Sequence, residues 1–189
     1  MPFRKSLKHR EHKLPGEIDI RILKTAAGKT EIEQAMVAAI RMSRKRVWVQ
    51  NSYFTSSVLL REMLRAKARG VDVRMIFPQE NDSNLLNKNN RSMAKRMLDG
   101  GIAVYMYQPR FSHAKAIVVD GWACVGSANC DTLSLRINEE FNIAFSDEKS
   151  VTALVRELFI PDMRQSKKLT KEDAREWHNP LVEGVAGQL

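Results

Sequence analysis

The sequence predicts an α/β protein: a central mixed β-sheet flanked by helices on both faces. Apolar positions switch repeatedly between the two-residue period of strands and the longer period of helices. Gly or Pro stands at several of the switches. A third observation sets the scale, since 189 residues with 43% hydrophobic content suffice for one domain with a substantial core.

Residues 1–16 are polar and basic, end at Pro15-Gly16, and read as a tail ahead of a domain spanning 17–178. Ile18 to Leu23 alternates apolar and charged residues, a strand pattern. Thr30 to Met42 sets Ile32, Ala35, Met36, Ala39 and Ile40 on one helical face, with Thr30 and Glu33 in capping-box spacing. Val47-Trp48-Val49 is a second strand that runs into the polar stretch Gln50-Asn51-Ser52-Tyr53. Thr55 or Ser56 can cap the next helix, which carries Leu60, Met63 and Leu64 and is closed by Gly70.

Val71 to Phe77 predicts a third strand, stopped by Pro78, with a polar loop from Gln79 to Asn84. Asn84 to Leu98 is a weaker helix ending at Gly100-Gly101, and Ile102 to Tyr107 a fourth strand. Ile117 to Val119 and Ala123 to Val125 read as buried strands, and Glu140 to Phe145 as another. Val151, Leu154, Val155, Leu158 and Phe159 line a C-terminal helix broken near Pro161. A more polar helical segment follows to Trp177, then a small-residue tail over 179–189. There is no internal repeat.

Thirty-one basic against twenty-two acidic residues leave a formal charge of +9, which favours an anionic partner: nucleic acid, anionic lipid or a phosphorylated substrate. The basic stretch Met1 to Lys13 lacks the apolar core of a signal peptide, and no run approaches the ~18 apolar residues of a membrane span. Cys124 and Cys130 have no metal-ligand spacing and read as small buried hydrophobes in a reduced compartment. The expectation is a soluble, cytoplasmic protein with peripheral membrane contact as an option. No cofactor or metal is implied.

The chemistry concentrates in Phe111-Ser112-His113-Ala114-Lys115, with Asp120 five residues later and Gly126-Ser127-Ala128-Asn129 beyond. Alternate side chains of a strand share a face, so His113 and Lys115 can point together, and Ser127 and Asn129 repeat that spacing. Cleaving a phosphodiester without a metal needs a nucleophile, an acid for the leaving alkoxide, and fixed donors around the phosphoryl oxygens. Histidine, with an ordinary pKa of ~6.5, serves as either of the first two. Lys115 would supply charge, and Ser127 and Asn129 neutral donors. Ser127 and Asn129 have a plainer reading as turn formers, and Glu140 as a strand carboxylate. The basic clusters Arg4 to Lys13 and Arg41 to Arg46 are candidate contacts to nucleic-acid phosphates, with a solvated helix end suited to the dipole as the plainer reading of Arg41 to Arg46. His12 and His178 lie in polar, solvated stretches.

His113-x-Lys115-x4-Asp120 with Gly126-Ser127-x-Asn129 resembles the HKD signature of the phospholipase D superfamily. Asn138-Glu139-Glu140 resembles the Asn-x-Glu strand that follows it, and Asp131 to Arg136 the intervening segment of bacterial cardiolipin synthases. The likeness runs from about Ile18 to Trp177 and is closest to the second half of those enzymes. It implies a phospholipase D-like fold and a phosphodiesterase or phosphatidyltransferase acting through a covalent phosphohistidine. His113, Lys115, Asp120 and Glu140 would form the catalytic set, with Lys115, Ser127 and Asn129 binding phosphate. Glu140 would hold one ring nitrogen of His113, and Asp120 would close the turn.

Two departures stand out. Five residues rather than six separate Asp120 from Gly126, and Asp120-Gly121 predicts a type I′ hairpin that absorbs the difference. The chain also carries one motif where the family's active site uses two. A homodimer joining two His113 side chains, or a partner chain with the other motif, would complete it; otherwise the chain is an inactive half. The substrate alternatives are phospholipid, as in cardiolipin synthases, and nucleic acid, as in small homodimeric metal-independent nucleases. A protein that only binds is the third class.

Overall fold

Strands with buried apolar faces assemble into one nine-stranded sheet in the order β2-β1-β8-β7-β6-β3-β4-β5-β9. The structure is a computed structural model, and it describes residues 18–81 and 84–177, apart from the side chain of Glu176. The expected tails at 1–16 and 179–189, with His12 and His178, lie outside the described residues. Strands β3 (Arg46–Asn51), β4 (Asp72–Pro78) and β5 (Ala103–Tyr107) are parallel. Antiparallel β6 (Lys115–Val119), β7 (Trp122–Gly126), β8 (Glu140–Phe145), β1 (Ile20–Ala26) and β2 (Lys29–Thr30) extend the sheet on one side, and antiparallel β9 (Ser166–Lys168) closes the other. This is the mixed sheet the sequence predicts.

Helices cover both faces, as expected. Helices α1 (Glu31–Met42), α2 (Ser57–Ala68) and α3 (Asn84–Asp99) pack on the main core, where Ile32, Met36, Leu60, Met63 and Met97 meet Val49, Val73, Met75 and Ile117. The opposite face carries a smaller core of Trp48, Ile76, Val118, Val151, Val155 and Phe159. At ~25 cal/mol per Å² of apolar area, these buried side chains supply the main drive for folding. Ser56 rather than Thr55 caps α2, its Oγ accepting from Leu59 N–H at 3.2 Å.

Several local expectations change. Thr30 stands at the start of α1 but forms no capping box; its Oγ1 accepts from Gln34 Nε2, and Glu31 accepts from the Lys24 N–H. The first strand runs later than expected and turns its isoleucines outward: Ile20 and Ile22 are exposed while Leu23 and Thr25 are buried. Their strand face lies beyond the reach of the smaller core. Asp131 caps a short α4 (Thr132–Arg136) that the sequence reading leaves unassigned. Pro161 does not break the C-terminal helix. α5 (Glu148–Leu154) passes through a π-turn (Val155–Phe159) into α6 (Ile160–Arg164), a wider turn next to the residue that lacks an N–H. The polar stretch beyond holds β9 before α7 (Lys171–Glu176), whose start has the capping box of Thr170 and Asp173.

Candidate active site

The sheet brings together the start of β6, the ends of β3 and β7 and the start of β8, at the edge where parallel β3, β4 and β5 also end. Carboxyl ends of parallel strands are where open α/β sheets commonly place their sites. Lys115 opens β6 opposite Asn51, and its side chain is buried. His113 does not extend that strand, contrary to expectation. β3 ends at Asn51 and the chain turns to bridge Phe54 with Cys130, so His113 has no ladder partner.

Side chains hold the His113 segment instead. Ser52 Oγ donates to the Ser112 carbonyl at 3.0 Å, and Lys115 Nζ donates to the His113 carbonyl at 3.0 Å. The His113 ring is exposed and lies 5.7 Å from the Phe111 ring, centroid to centroid. Among the described residues, the imidazole nitrogens make no hydrogen bond. A free, accessible imidazole is what attack on an external phosphorus requires.

Burial pushes the Lys115 ammonium below the usual lysine range, opposed by attraction from Glu140 and Asp131. A buried cation that lacks a carboxylate in contact is costly, and an incoming phosphoryl group would offset that cost. Glu140 has a different partner from the one expected. Its Oε2 accepts from Ser127 Oγ, and the same Ser127 oxygen accepts from Phe141 N–H at 3.1 Å. The carboxylate is thus tied to the turn after β7 rather than to His113. Ser127 would have to release its proton from Glu140 to donate to phosphate. Asn129 leaves its Oδ1 buried with no partner among the described residues.

Gly126 permits this arrangement. A Cβ there would overlap the Phe141 carbonyl oxygen and Asn142, so the turn can lie against β8 only as glycine. Asn142 Oδ1 accepts from Ala128 N–H at 3.1 Å, and Asn51 Oδ1 accepts from Cys130 N–H at 3.1 Å. Asn90 joins α3 to the same region, donating to Ser52 O at 2.7 Å and accepting from Phe54 N–H at 3.2 Å. Gln50, Asn51, Ser52, Asn90 and Asn142 escape the sequence reading as site residues. Gln50, Asn51 and Asn142 are polar residues where a strand pattern calls for apolar ones, whereas Ser52 beyond β3 and Asn90 on α3 carry no such signal.

Asp120 sits at the far end of the hairpin, where it closes the turn as expected. Its carboxylate accepts N–H bonds from Arg44, Lys45 and Arg46 at 2.8, 2.9 and 2.8 Å. Burial raises its pKa, but those N–H groups outweigh burial and leave it below the usual aspartate value. The turn has two residues, with Val119 opposite Trp122, so the short spacing is absorbed. The two positive φ values of a type I′ turn are not both present: Asp120 has φ of 51° while Gly121 is not at positive φ. Both cysteines are buried and free, and burial pushes the Cys124 thiol up to about 11.

The fold and site define a phospholipase D-like domain with one histidine–lysine motif. The crystal structure of a phospholipase D family member, Nuc from Salmonella typhimurium, superposes with a TM-score of 0.71 at 16% identity, covering 82% of this chain and 99% of that one. NucT from Helicobacter pylori gives 0.68 at 15% identity, covering 81% and 100%. Phosphatidylserine synthase of Haemophilus influenzae gives 0.65 at 17% identity, covering 84% and 41%. The chain belongs to the family described as "Cardiolipin synthase, PLD-like domain", which matches residues 36–162. Among relatives, "Probable cardiolipin synthase YwiE" of Bacillus subtilis is 38% identical over 133 residues, 69% of this chain and 26% of that protein. Cardiolipin synthase A of Pseudomonas putida is 33% identical over 142 residues, 74% of this chain and 29% of that protein. The chain therefore spans between a quarter and a third of the length of these relatives. No helix among the described residues is long and apolar enough to cross a membrane.

Proposed function

We propose that this domain catalyses metal-independent phosphodiester cleavage or phosphatidyl transfer on phospholipid, through a covalent intermediate on His113. The observation that carries the reading is the buried Lys115 ammonium beside an exposed, unengaged His113 ring. A His113 nitrogen attacks phosphorus and the bond to the leaving alkoxide breaks, with a second histidine giving that oxygen its proton. Water or an acceptor alcohol then attacks phosphorus and gives its proton back to the second histidine, the P–N bond breaks, and His113 is free again. Lys115 offsets charge on the phosphoryl oxygens, joined by the Asn129 amide and by Ser127 once its proton leaves Glu140. The likeness to cardiolipin synthases over two-thirds of the chain favours a lipid substrate.

The second histidine comes from a second copy of the chain. Supporting this, Ile20, Ile22, Phe141 and Ile143 form an exposed apolar face on β1 and β8, with Ile22 62% and Phe141 53% accessible. Phe141 on that face adjoins Glu140, whose side chain points to the opposite face of β8, so the apolar patch borders the site at the same end of the sheet. An uncovered apolar sheet face of this kind marks an interaction surface.

Nucleic acid is the second reading, favoured by the near-complete coverage of Nuc and by the +9 charge. Phosphatidylglycerol vesicles, DNA and RNA offered side by side in EDTA separate the two. Lipid turnover abolished in His113→Ala is the expected result. Turnover confined to nucleic acid would replace lipid with the second reading, and turnover surviving in His113→Ala would overturn both.

A further inference from the structure

Gln50 is a buried amide on β3, on the sheet face opposite the main core. Its two Nε2 protons are both used: one goes to Asp162 Oδ2 on α6 at 2.6 Å, the other to Ser112 Oγ at 3.2 Å. The carboxylate can only accept, which orients the amide, and Oε1 is left without a partner among the described residues. Such an amide is held in place by Asp162 and presses on one further group, the residue before His113.

Asp162 reaches Gln50 from a helix that changes register on the way. The π-turn at Val155–Phe159 adds a residue to one turn, and one residue rotates the following helical face by about 100°. Ser166 Oγ donates to the Asp162 carbonyl at 2.6 Å and steadies the end of α6. On the other side, Ser112 and His113 lack ladder bonds and rest on Gln50, Ser52 and Lys115.

We propose that Asp162, acting through Gln50, is a positioning residue for His113: the pair fixes Ser112 and thereby the direction of the imidazole. This rests on the reading of His113 as the nucleophile. Neither residue touches the reacting atoms. Both act on the geometry of attack, where small displacements are expensive in rate. The contact spans 112 positions of sequence, so it also ties α6 to the site edge of the sheet.

The test is a donor–acceptor swap in the full chain. Gln50→Ala and Asp162→Ala each lower kcat by about tenfold or more with KM changed less than about twofold. Gln50→Glu alone sets two carboxylates together, so its rate falls further as pH rises through the carboxylate range. Gln50→Glu with Asp162→Asn reverses donor and acceptor and recovers kcat to within about threefold of the unmodified protein. Ser112→Ala, which removes the link without touching the core, supplies the same kcat loss should the buried variants fail to fold.

A readout independent of turnover is the His113 Hε1 NMR resonance, assigned by its disappearance in His113→Ala. It moves in Gln50→Ala, Asp162→Ala and Ser112→Ala, and returns in the swap. Unchanged kcat in Ser112→Ala together with an unmoved resonance overturns the positioning role. So does a swap no better than the single variants. Absence of His113-dependent turnover in the unmodified protein overturns the nucleophile reading instead, and the resonance still decides whether Asp162 orients the ring.

Discussion

Lys115 Nζ donates to the carbonyl oxygen of His113 at 3.0 Å, so the cation of the motif holds the backbone of its histidine. The ammonium is buried and lies in the field of Glu140 and Asp131. A phosphoryl oxygen arriving beside His113 would meet an ammonium already in place, and three N–H donors allow it and the carbonyl to be bound at once.

Glu140→Gln is expected to lower the alkaline limit of the proposed activity. Burial lowers the Lys115 pKa and the Glu140 charge raises it. Removing that charge in Glu140→Gln therefore lets the lysine lose its proton at lower pH, and the alkaline limb of the kcat/KM profile moves down. A limb that stays in place or moves up would exclude Lys115 as the group that must be charged.

Asp120→Ala destabilises the fold by about 1–3 kcal/mol, since three backbone N–H groups lose a charged acceptor. The folded pKa lies below the ordinary aspartate value, so the contribution is present above that value and fades as pH falls through the folded one. Urea unfolding should show a constant gap between the two proteins near neutral pH and a closing gap below about pH 4. Activity at neutral pH in dilute buffer should persist wherever the variant remains folded.

Gly126→Ala forces the turn away from β8, because the new methyl overlaps the Phe141 carbonyl and Asn142. The expected loss is about 1–3 kcal/mol of stability, seen as a lowered Tm, with kcat reduced as Ser127 and Asn129 shift. A Tm equal to that of the unmodified protein would show that the close approach is not rigid.

Ile22→Asp with Ile143→Asp places charge on the exposed face of β1 and β8, at positions paired across the two strands. The particle mass by light scattering should fall from two chains to one, with activity reduced by about tenfold or more because the leaving oxygen loses its proton donor. Full activity at monomer mass would remove the second copy from the mechanism.

Most elements were legible because their periodicity is local. The helix at Glu31–Met42, the capping Ser56 and the strand Glu140–Phe145 all follow from spacing within a dozen residues. The edge strand Ser166–Lys168 was not, since three polar residues carry no strand pattern and pair only because β5 offers an open edge. Pro161 misled for a related reason: a π-turn relieves it, and nothing local announces one.

By itself the sequence determined the chemistry on offer, because His113, Lys115, Ser127 and Asn129 declare themselves by type and spacing, and it determined that only one such motif is present. Tertiary structure alone decided their company. It bound Glu140 to Ser127 rather than to His113, left the imidazole unengaged, and brought Gln50 and Asp162 together across 112 residues. The reason is physical: local spacing limits where a side chain can point, while its hydrogen-bond partner depends on which backbones the closed sheet brings within about 3 Å of it.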